Sequence, residues 1–484
     1  MTAPAPTPSE ARPLMIGEWA DIGICRDGDD YYLAHSSGKW RPAALIWHSR
    51  DLRRWRPVGY AVDAHPGDVW LTDLVKDGDR FRAFWLSAGL APDYGALGGF
   101  TTEAANIAGP WSTPGPSGLP PDLVLGRDES GARYALSCPG HLQVQRLEGA
   151  GLRPAEAPRR AYDGWPVPDE WATEMSPCVE APKILRHGGY WHALVAEGGT
   201  FGPSTSHMVV AARARDIRGP WEGSPYNPVI RTWSRSEPWW SKGHGQLIEG
   251  PGGQWFCILH GIPNGYRSIG RCTLIEPIEW TADGWFRPAR HWPAGWEQGA
   301  VIDMPLSDDF RGGTLGRQWQ FWENHDRARY RVGDGELVLA GRGASPGESQ
   351  PMAIQPMRFA YEIETEVEIE GNARAGLMLF ATPDLWLGLE LAPDGVLRRV
   401  EKGYRRYGWT TDASVRCRRL RLKIVNVEQD ARFYYRLADG GWRLFQPSME
   451  VSFGASLWVN LRPALFCHGE GRARFRRFEF QSVG

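Results

Sequence analysis

Five polar residues, Asp21, Asp73, Asp122, Glu180 and His244, stand at matching places in a pattern that recurs about every fifty residues. They lie 7, 5, 9, 8 and 8 residues ahead of the turn glycines Gly28, Gly78, Gly131, Gly188 and Gly252. Carboxylates brought to one place can do acid–base chemistry. Like charges in a cleft raise one another's pKa, so that one carboxyl keeps its proton near neutral pH while another is ionised. Hydrolysis of a glycosidic bond needs such a pair: an acid for the leaving oxygen, and a carboxylate on the other face of the sugar as base or nucleophile. Any one of these residues alone is more often a turn cap or an ion-pair partner. Their equivalence within a repeat is what gives the group weight.

The elements that must position them follow from the same repeat. The segments ADIGICRDGDDYYLAHSS, TDLVKDGDRFRAFWLSAG, PDLVLGRDESGARYALSC, VEAPKILRHGGYWHALVAEGG and GHGQLIEGPGGQWFCILHG share one grammar. Each has a polar opener, an apolar run, a glycine turn and an aromatic-rich run. Asp-Gly, Ser-Gly and Gly-Gly supply the positive φ of tight hairpin turns, so each segment reads as a β-hairpin. The glycines are 50, 53, 57 and 64 residues apart, which leaves room for two more strands per unit. Segments such as AALIWHSRDLRRWRPVG and HMVVAARARDIRGPWE supply them. Four-stranded units repeating radially make a propeller, and five are predicted over residues 14–300. The first strand of each blade lines the axis, so the five openers should converge at one end of the central channel.

From about residue 306 the pattern changes to long alternating strands, as in Tyr361–Ile369 and Arg419–Ile424. Strict period two means half-buried antiparallel strands, so residues 306–484 are predicted as a β-sandwich and the whole chain as all-β. Gly343-Ala344-Ser345-Pro346-Gly347 matches a G-x-S-x-G nucleophile pattern. That pattern needs a strand-to-helix elbow, and Pro346 with the following GESQPM does not read as a helix entry.

Composition bounds the partners. With 55 basic and 57 acidic side chains the formal charge is −2, which gives no electrostatic reason to expect nucleic acid. The N-terminal MTAPAPTPSEARPL lacks a basic region followed by an apolar one, and no stretch approaches the ~20 apolar residues of a membrane span. A cytoplasmic protein without a membrane partner is expected. Seven scattered cysteines without a C-x-x-C read as reduced core thiols, and the 12 histidines show no H-E-x-x-H pair. Most of the 25 Trp, 15 Tyr and 17 Phe belong to blade and sandwich cores. Trp70, on the same axial strand as Asp73, is the best candidate for stacking on a sugar face.

These residues also carry a resemblance. ADIGICRDGDDYYLAHSS with HSRDLRRW, then EAPKIL, LVAEGGT, ARARDIRGPWEGSPYNPVI, GHGQLIE and GRCTLIEPIEWTADGWF resemble, in order, the glycoside hydrolase family 43 β-xylosidases and α-L-arabinofuranosidases. LSDDFRGGTLGRQWQFW resembles the opening of the concanavalin-like sandwich appended to such enzymes. The resemblance implies an inverting five-bladed propeller enzyme whose sandwich helps to close the pocket. It implies Asp21 as general base, Glu180 as general acid and Asp122 as the carboxylate that orients the acid and modulates its pKa. It implies His244 as the axial histidine and Arg271, in GRCT, as a substrate contact; Asp73, where family members vary, is expected as a further substrate contact and as a reserve for the base. No cofactor is required; a structural calcium near His244 and homo-oligomers are further family properties. The chain departs from the pattern in placing Ala20 and Ile22 around Asp21, Ala181-Pro182 after Glu180 and Trp70-Leu71-Thr72 in blade two. These changes imply an altered pocket floor. Release of terminal xylose or arabinofuranose from short oligosaccharides is therefore expected. The alternatives are a carbohydrate-binding propeller with decayed catalysis, or a propeller glycosidase for another sugar.

Overall fold

Turn-separated short strands with β-branched and aromatic residues on alternate positions build the first half of the chain. In the computed structural model, residues 10–88, 97–149, 151–176, 178–200, 202–405, 412–454 and 460–483 are described. Five antiparallel sheets follow one another around an axis. Their innermost strands are Gly23–Asp27, Trp70–Asp77, Leu123–Arg127, Glu180–His187 and Trp239–Glu249, which contact one another around the ring. The hairpin glycines Gly28, Gly78, Gly131 and Gly188 take φ of 63°, 67°, 84° and 58°. In the fifth hairpin the positive φ of 77° falls on Gly253, one residue after the expected Gly252, because the Pro-Gly-Gly run offers two glycines to one turn.

The ring is closed by the chain's own start. Arg12–Met15 pairs antiparallel with Cys272–Trp280 and so forms the outer strand of the fifth blade, which brings the propeller's first strand ahead of residue 14. The other end also returns to blade one. Val301–Ile302 lies parallel to Arg54–Trp55, where the connection into the second domain begins.

That second domain is a sandwich of an eight-stranded and a seven-stranded sheet. Ala360–Gly371 shows how the sequence specifies it: Tyr361, Ile363, Thr365, Val367 and Ile369 face inward, and Glu362, Glu364, Glu366 and Glu368 face outward. The inward set packs in one core with residues such as Leu377, Leu389, Leu422, Phe433 and Phe475. The last strand of the eight-stranded sheet comes from the propeller. Trp40–Arg41, between the second and third strands of blade one, pairs with Phe321–Trp322. Trp40 meets Trp322 edge to face at 5.2 Å, and Phe380 packs against both.

The G-x-S-x-G run has no elbow. Gly347–Ser349 is a single turn of 3₁₀ helix, and Ser345 Oγ accepts from the Glu348 amide at 3.4 Å. Its serine caps a turn.

Candidate active site

The openers come to the axis through a kink that strand geometry does not supply. Asp21, Asp122 and His244 have φ of 53°, 55° and 52°, and in the fourth blade the corresponding turn falls on Ala181, at 52°, directly after Glu180. A left-handed residue with a side chain costs of order 1–3 kcal/mol and persists where surrounding structure imposes it. Here it swings each side chain out of the blade. Asp21, Asp122, Glu180 and His244 line one pocket of 830 Å³.

His244 is the hinge of the arrangement. Its Nδ1 lies 3.4 Å from Asp21 Oδ1, and its Nε2 lies 3.4 Å from Glu180 Oε1. The two carboxyls therefore stand at opposite nitrogens of one ring. Behind it, His260 and His207 are fully buried, with ring centres 4.7 Å and 5.4 Å from that of His244. A Cβ on Gly243 would lie 1.8 Å from His207 Cδ2, so only glycine admits this packing. His260 Nδ1 accepts the Asp21 amide at 3.4 Å, which fixes its tautomer.

Asp21 is gripped by Arg271, with Nη1 to Oδ1 at 2.9 Å and Nη2 to Oδ2 at 3.2 Å. Glu18 holds the same guanidinium, accepting from Nε at 2.8 Å and from the Arg271 amide at 2.6 Å. Burial pushes the Asp21 carboxyl up, but Arg271 and then His244 outweigh it and hold its pKa below the ordinary carboxylate value. Glu180 behaves likewise: burial raises it, and its contact with His244 brings it below the ordinary value. For His244 burial acts downward, while Glu180 and Asp21 together lift its pKa above 6.5. Asp122 goes the other way. Half-buried, it is pushed up to about 6 by its loss of solvation and by the facing charge of Glu180, although its Oδ2 accepts the Ala181 amide at 2.7 Å. That bond ties Asp122 to the backbone beside Glu180.

Asp73 does not join them. It is 2% exposed, does not line the pocket, and pairs with Lys183 at 3.5 Å, while Lys183 also donates to the Thr72 carbonyl. Its backbone lacks the left-handed turn of the other openers, so the side chain stays in the blade-to-blade packing. The sequence expectation of a substrate contact, or a reserve base, is corrected on that ground. Trp70, in contrast, is 38% exposed and lines the pocket, as do Leu71 and Thr72.

Several residues in the pocket and behind it escaped sequence reasoning. Glu18 sits three residues before Asp21 in GEWAD, and its partner Arg271 was the available signal. His207 and His260 are polar interruptions in apolar strands, which read equally well as core histidines. The sandwich side is formed by Trp322, Glu323, the turn Ala381–Asp384, Asn460 and Arg462. Nothing in a period-two pattern marks which turns reach across.

Calcium prefers six to eight oxygen ligands. Among the described residues, the groups around His244 close enough to share an ion are Asp21 with His244 and His260, and Glu180 with His207 and His244. One carboxylate with two imidazoles is a nitrogen-rich set, and these residues do not fit a calcium cage of protein oxygens.

Residues 11–286 match the model of glycosyl hydrolases family 43, and residues 307–481 match that of the β-xylosidase C-terminal concanavalin A-like domain. A non-reducing end α-L-arabinofuranosidase of Bacteroides ovatus is 27% identical over 408 residues, spanning 76% of this chain and 73% of that one. A β-xylosidase of Bacillus subtilis is 26% identical over 446 residues, 80% of each chain. The crystal structure of a xylan β-1,4-xylosidase from Bacillus halodurans superposes with a TM-score of 0.84 at 23% identity, covering 98% of this chain and 100% of the other. A family 43 protein of Bacillus licheniformis superposes with a TM-score of 0.86 at 23% identity, with the same coverage. At that identity the superpositions speak for the fold.

Proposed function

Because the chain belongs to glycosyl hydrolases family 43, and is therefore a glycosidase, we propose that it is an exo-acting, inverting enzyme releasing terminal xylose or arabinofuranose from short oligosaccharides. The observation that carries this reading is the placement of Asp21 and Glu180 at opposite nitrogens of His244, in a pocket walled on one side by the sandwich. Two contacts of 3.4 Å and the width of a ring suit the separation of ~6.5–9.5 Å that leaves room for a water beside the sugar. A pocket walled off in this way admits a chain end more readily than a chain interior. The names of the two curated relatives support the choice of sugars.

In this reading Asp21 takes a proton from the water as its oxygen attacks the anomeric carbon. Glu180 gives a proton to the glycosidic oxygen as the carbon–oxygen bond breaks, and the sugar leaves with inverted configuration. Arg271 keeps Asp21 ionised, as a base must be. Glu180 draws its proton from the pair it forms with His244, which titrates as a unit. The Asp122 bond to the Ala181 amide aims Glu180, and its own high pKa keeps a second full charge from crowding the acid. A cytoplasmic location belongs to the proposal, since whole wall polysaccharides do not enter cells. The seven free thiols fit a reducing compartment.

The test is the initial rate on 4-nitrophenyl β-D-xylopyranoside and 4-nitrophenyl α-L-arabinofuranoside, for the wild type beside Asp21→Ala. Turnover that disappears in the variant supports the assignment and ranks the two sugars. A wild type inert on both would count against these substrates, and a variant with near wild-type rates would remove Asp21 from the base position.

A further inference from the structure

The sandwich wall of the pocket carries two polar atoms that find no hydrogen-bond partner among the described residues. Asn460 is 7% and Arg462 3% exposed, and both line the pocket. Asn460 Oδ1 and Arg462 Nε are fully buried and have no hydrogen-bond partner among the described residues. The rest of each side chain is firmly held. Gln355 accepts the Glu18 amide at 3.4 Å with Oε1 and donates from Nε2 to the Glu18 carbonyl at 3.0 Å, which fixes which end of its amide is oxygen. Asn460 therefore turns its Nδ2 to Gln355 Oε1, and its oxygen is left over. Arg462 donates from Nη1 to Gln320 Oε1 at 2.8 Å and stacks its guanidinium on Trp40, 4.4 Å from the ring centre. Among the described residues Arg462 forms no ion pair with a carboxylate, and burial pushes its pKa down to about 9.

Orphaned buried polar groups are rare, and each costs roughly 1–3 kcal/mol, more when charged. Two of them, one acceptor and one donor, two residues apart, sit on the same wall of a sugar-hydrolysing pocket. Residues two apart on an extended chain project to the same side. A hydroxyl group is both donor and acceptor, so the hydroxyls of a sugar seated against this wall offer the kind of partner that each atom lacks. We infer that Asn460 and Arg462 form a hydroxyl-binding pair through which the C-terminal sandwich grips the terminal sugar unit of the substrate. The sandwich is then part of the sugar-recognition site as well as a wall. This inference rests on the exo-glycosidase reading above.

The experiment is a mutant-by-substrate cycle. Wild type, Asn460→Ser and Arg462→Gln are assayed on the preferred 4-nitrophenyl glycoside and on its analogues lacking one ring hydroxyl at a time. The expected result is a fall in kcat/KM of about 10- to 100-fold for Arg462→Gln on the parent glycoside, the range of a charge-assisted hydrogen bond, and a smaller fall for Asn460→Ser. For one analogue the wild type should suffer a comparable loss and the variants little further loss. Losses that multiply for every analogue would overturn the pairing, and so would variants with wild-type kinetics on the parent. If Arg462→Gln melts well below the wild type, Asn460→Ser, which keeps the Trp40 stack, decides by the same criterion. A wild type inactive on both xyloside and arabinofuranoside would instead be a failure of the substrate reading. The cycle would then be run on whichever glycoside the enzyme hydrolyses, with the same two outcomes.

Discussion

Charge is used in opposite ways at the propeller axis and on the outer face of the sandwich. At the axis, Arg271, Asp21, His244 and Glu180 form one chain of contacts on kinked backbone, with Asp122 bonded to the amide after Glu180, and the pKa values of Asp21, Asp122 and His244 are shifted in different directions. On the sandwich, Glu362, Glu364, Glu366 and Glu368 alternate along one straight strand and pair with Lys423, Arg421, Arg419 and Arg476 on its neighbours. The ladder is regular, partly solvated and redundant, so no member is indispensable. The axis has no redundancy, and each group sets the proton state of the next. Perturbed charge on irregular backbone marks chemistry; satisfied charge on regular backbone marks a solvated face.

The contrast can be broken most severely at Glu180. Glu180→Ala is expected to lower kcat on natural oligosaccharides by about 10³-fold, with far less loss on an aryl glycoside whose leaving group needs no proton. Equal losses on both substrate types would remove Glu180 from the acid role. Asp73 tests whether an axial position is enough. Asp73→Ala leaves Lys183 buried without its carboxylate, so it should cost about 3–5 kcal/mol of stability in denaturant melts, with kcat/KM of the folded fraction little changed. A selective loss of rate at unchanged stability would return Asp73 to the site.

Two pH effects are smaller. Arg271 and His244 hold the Asp21 pKa down, so the acid limb of kcat/KM lies below that of an ordinary aspartate. Arg271→Gln leaves burial unopposed by the guanidinium, the carboxyl then protonates at higher pH, and the acid limb should move up by at least about one unit. An unmoved limb would mean that another group sets it. The alkaline limb reports loss of the proton held by Glu180 and His244, and the raised His244 pKa places it above 6.5. His244→Asn should shift that limb to lower pH. Smallest of all is the ladder: Glu364→Gln should change stability by less than about 1 kcal/mol and leave kcat/KM unchanged. A loss of several kcal/mol would show the ladder to be as finely balanced as the axis.

The same contrast explains what could be read from the chain. Ala360–Gly371 announced itself, because its alternation is the physical cause of its burial. The blades were legible through their turn glycines, and Asp21, Asp122, Glu180 and His244 through their offset from those glycines. Asp73 shows the limit, since offset locates a residue along a strand and says nothing of a backbone kink that redirects the side chain. Glu18, Asn460 and Arg462 could not be found that way. Glu18 is placed by Arg271 from the other end of the propeller and Asn460 and Arg462 by Gln355 and Gln320, and contacts between residues more than a hundred positions apart leave no local period.

The two-residue strand Trp40–Arg41 has an evolutionary consequence. Because blade one donates the edge of the sandwich sheet through Phe321 and Trp322, the second domain cannot be exchanged as a cassette without leaving raw edges on both sides. The two domains should melt in a single cooperative transition, and lineages that carry this sandwich should inherit it together with the blade-one insertion that completes it.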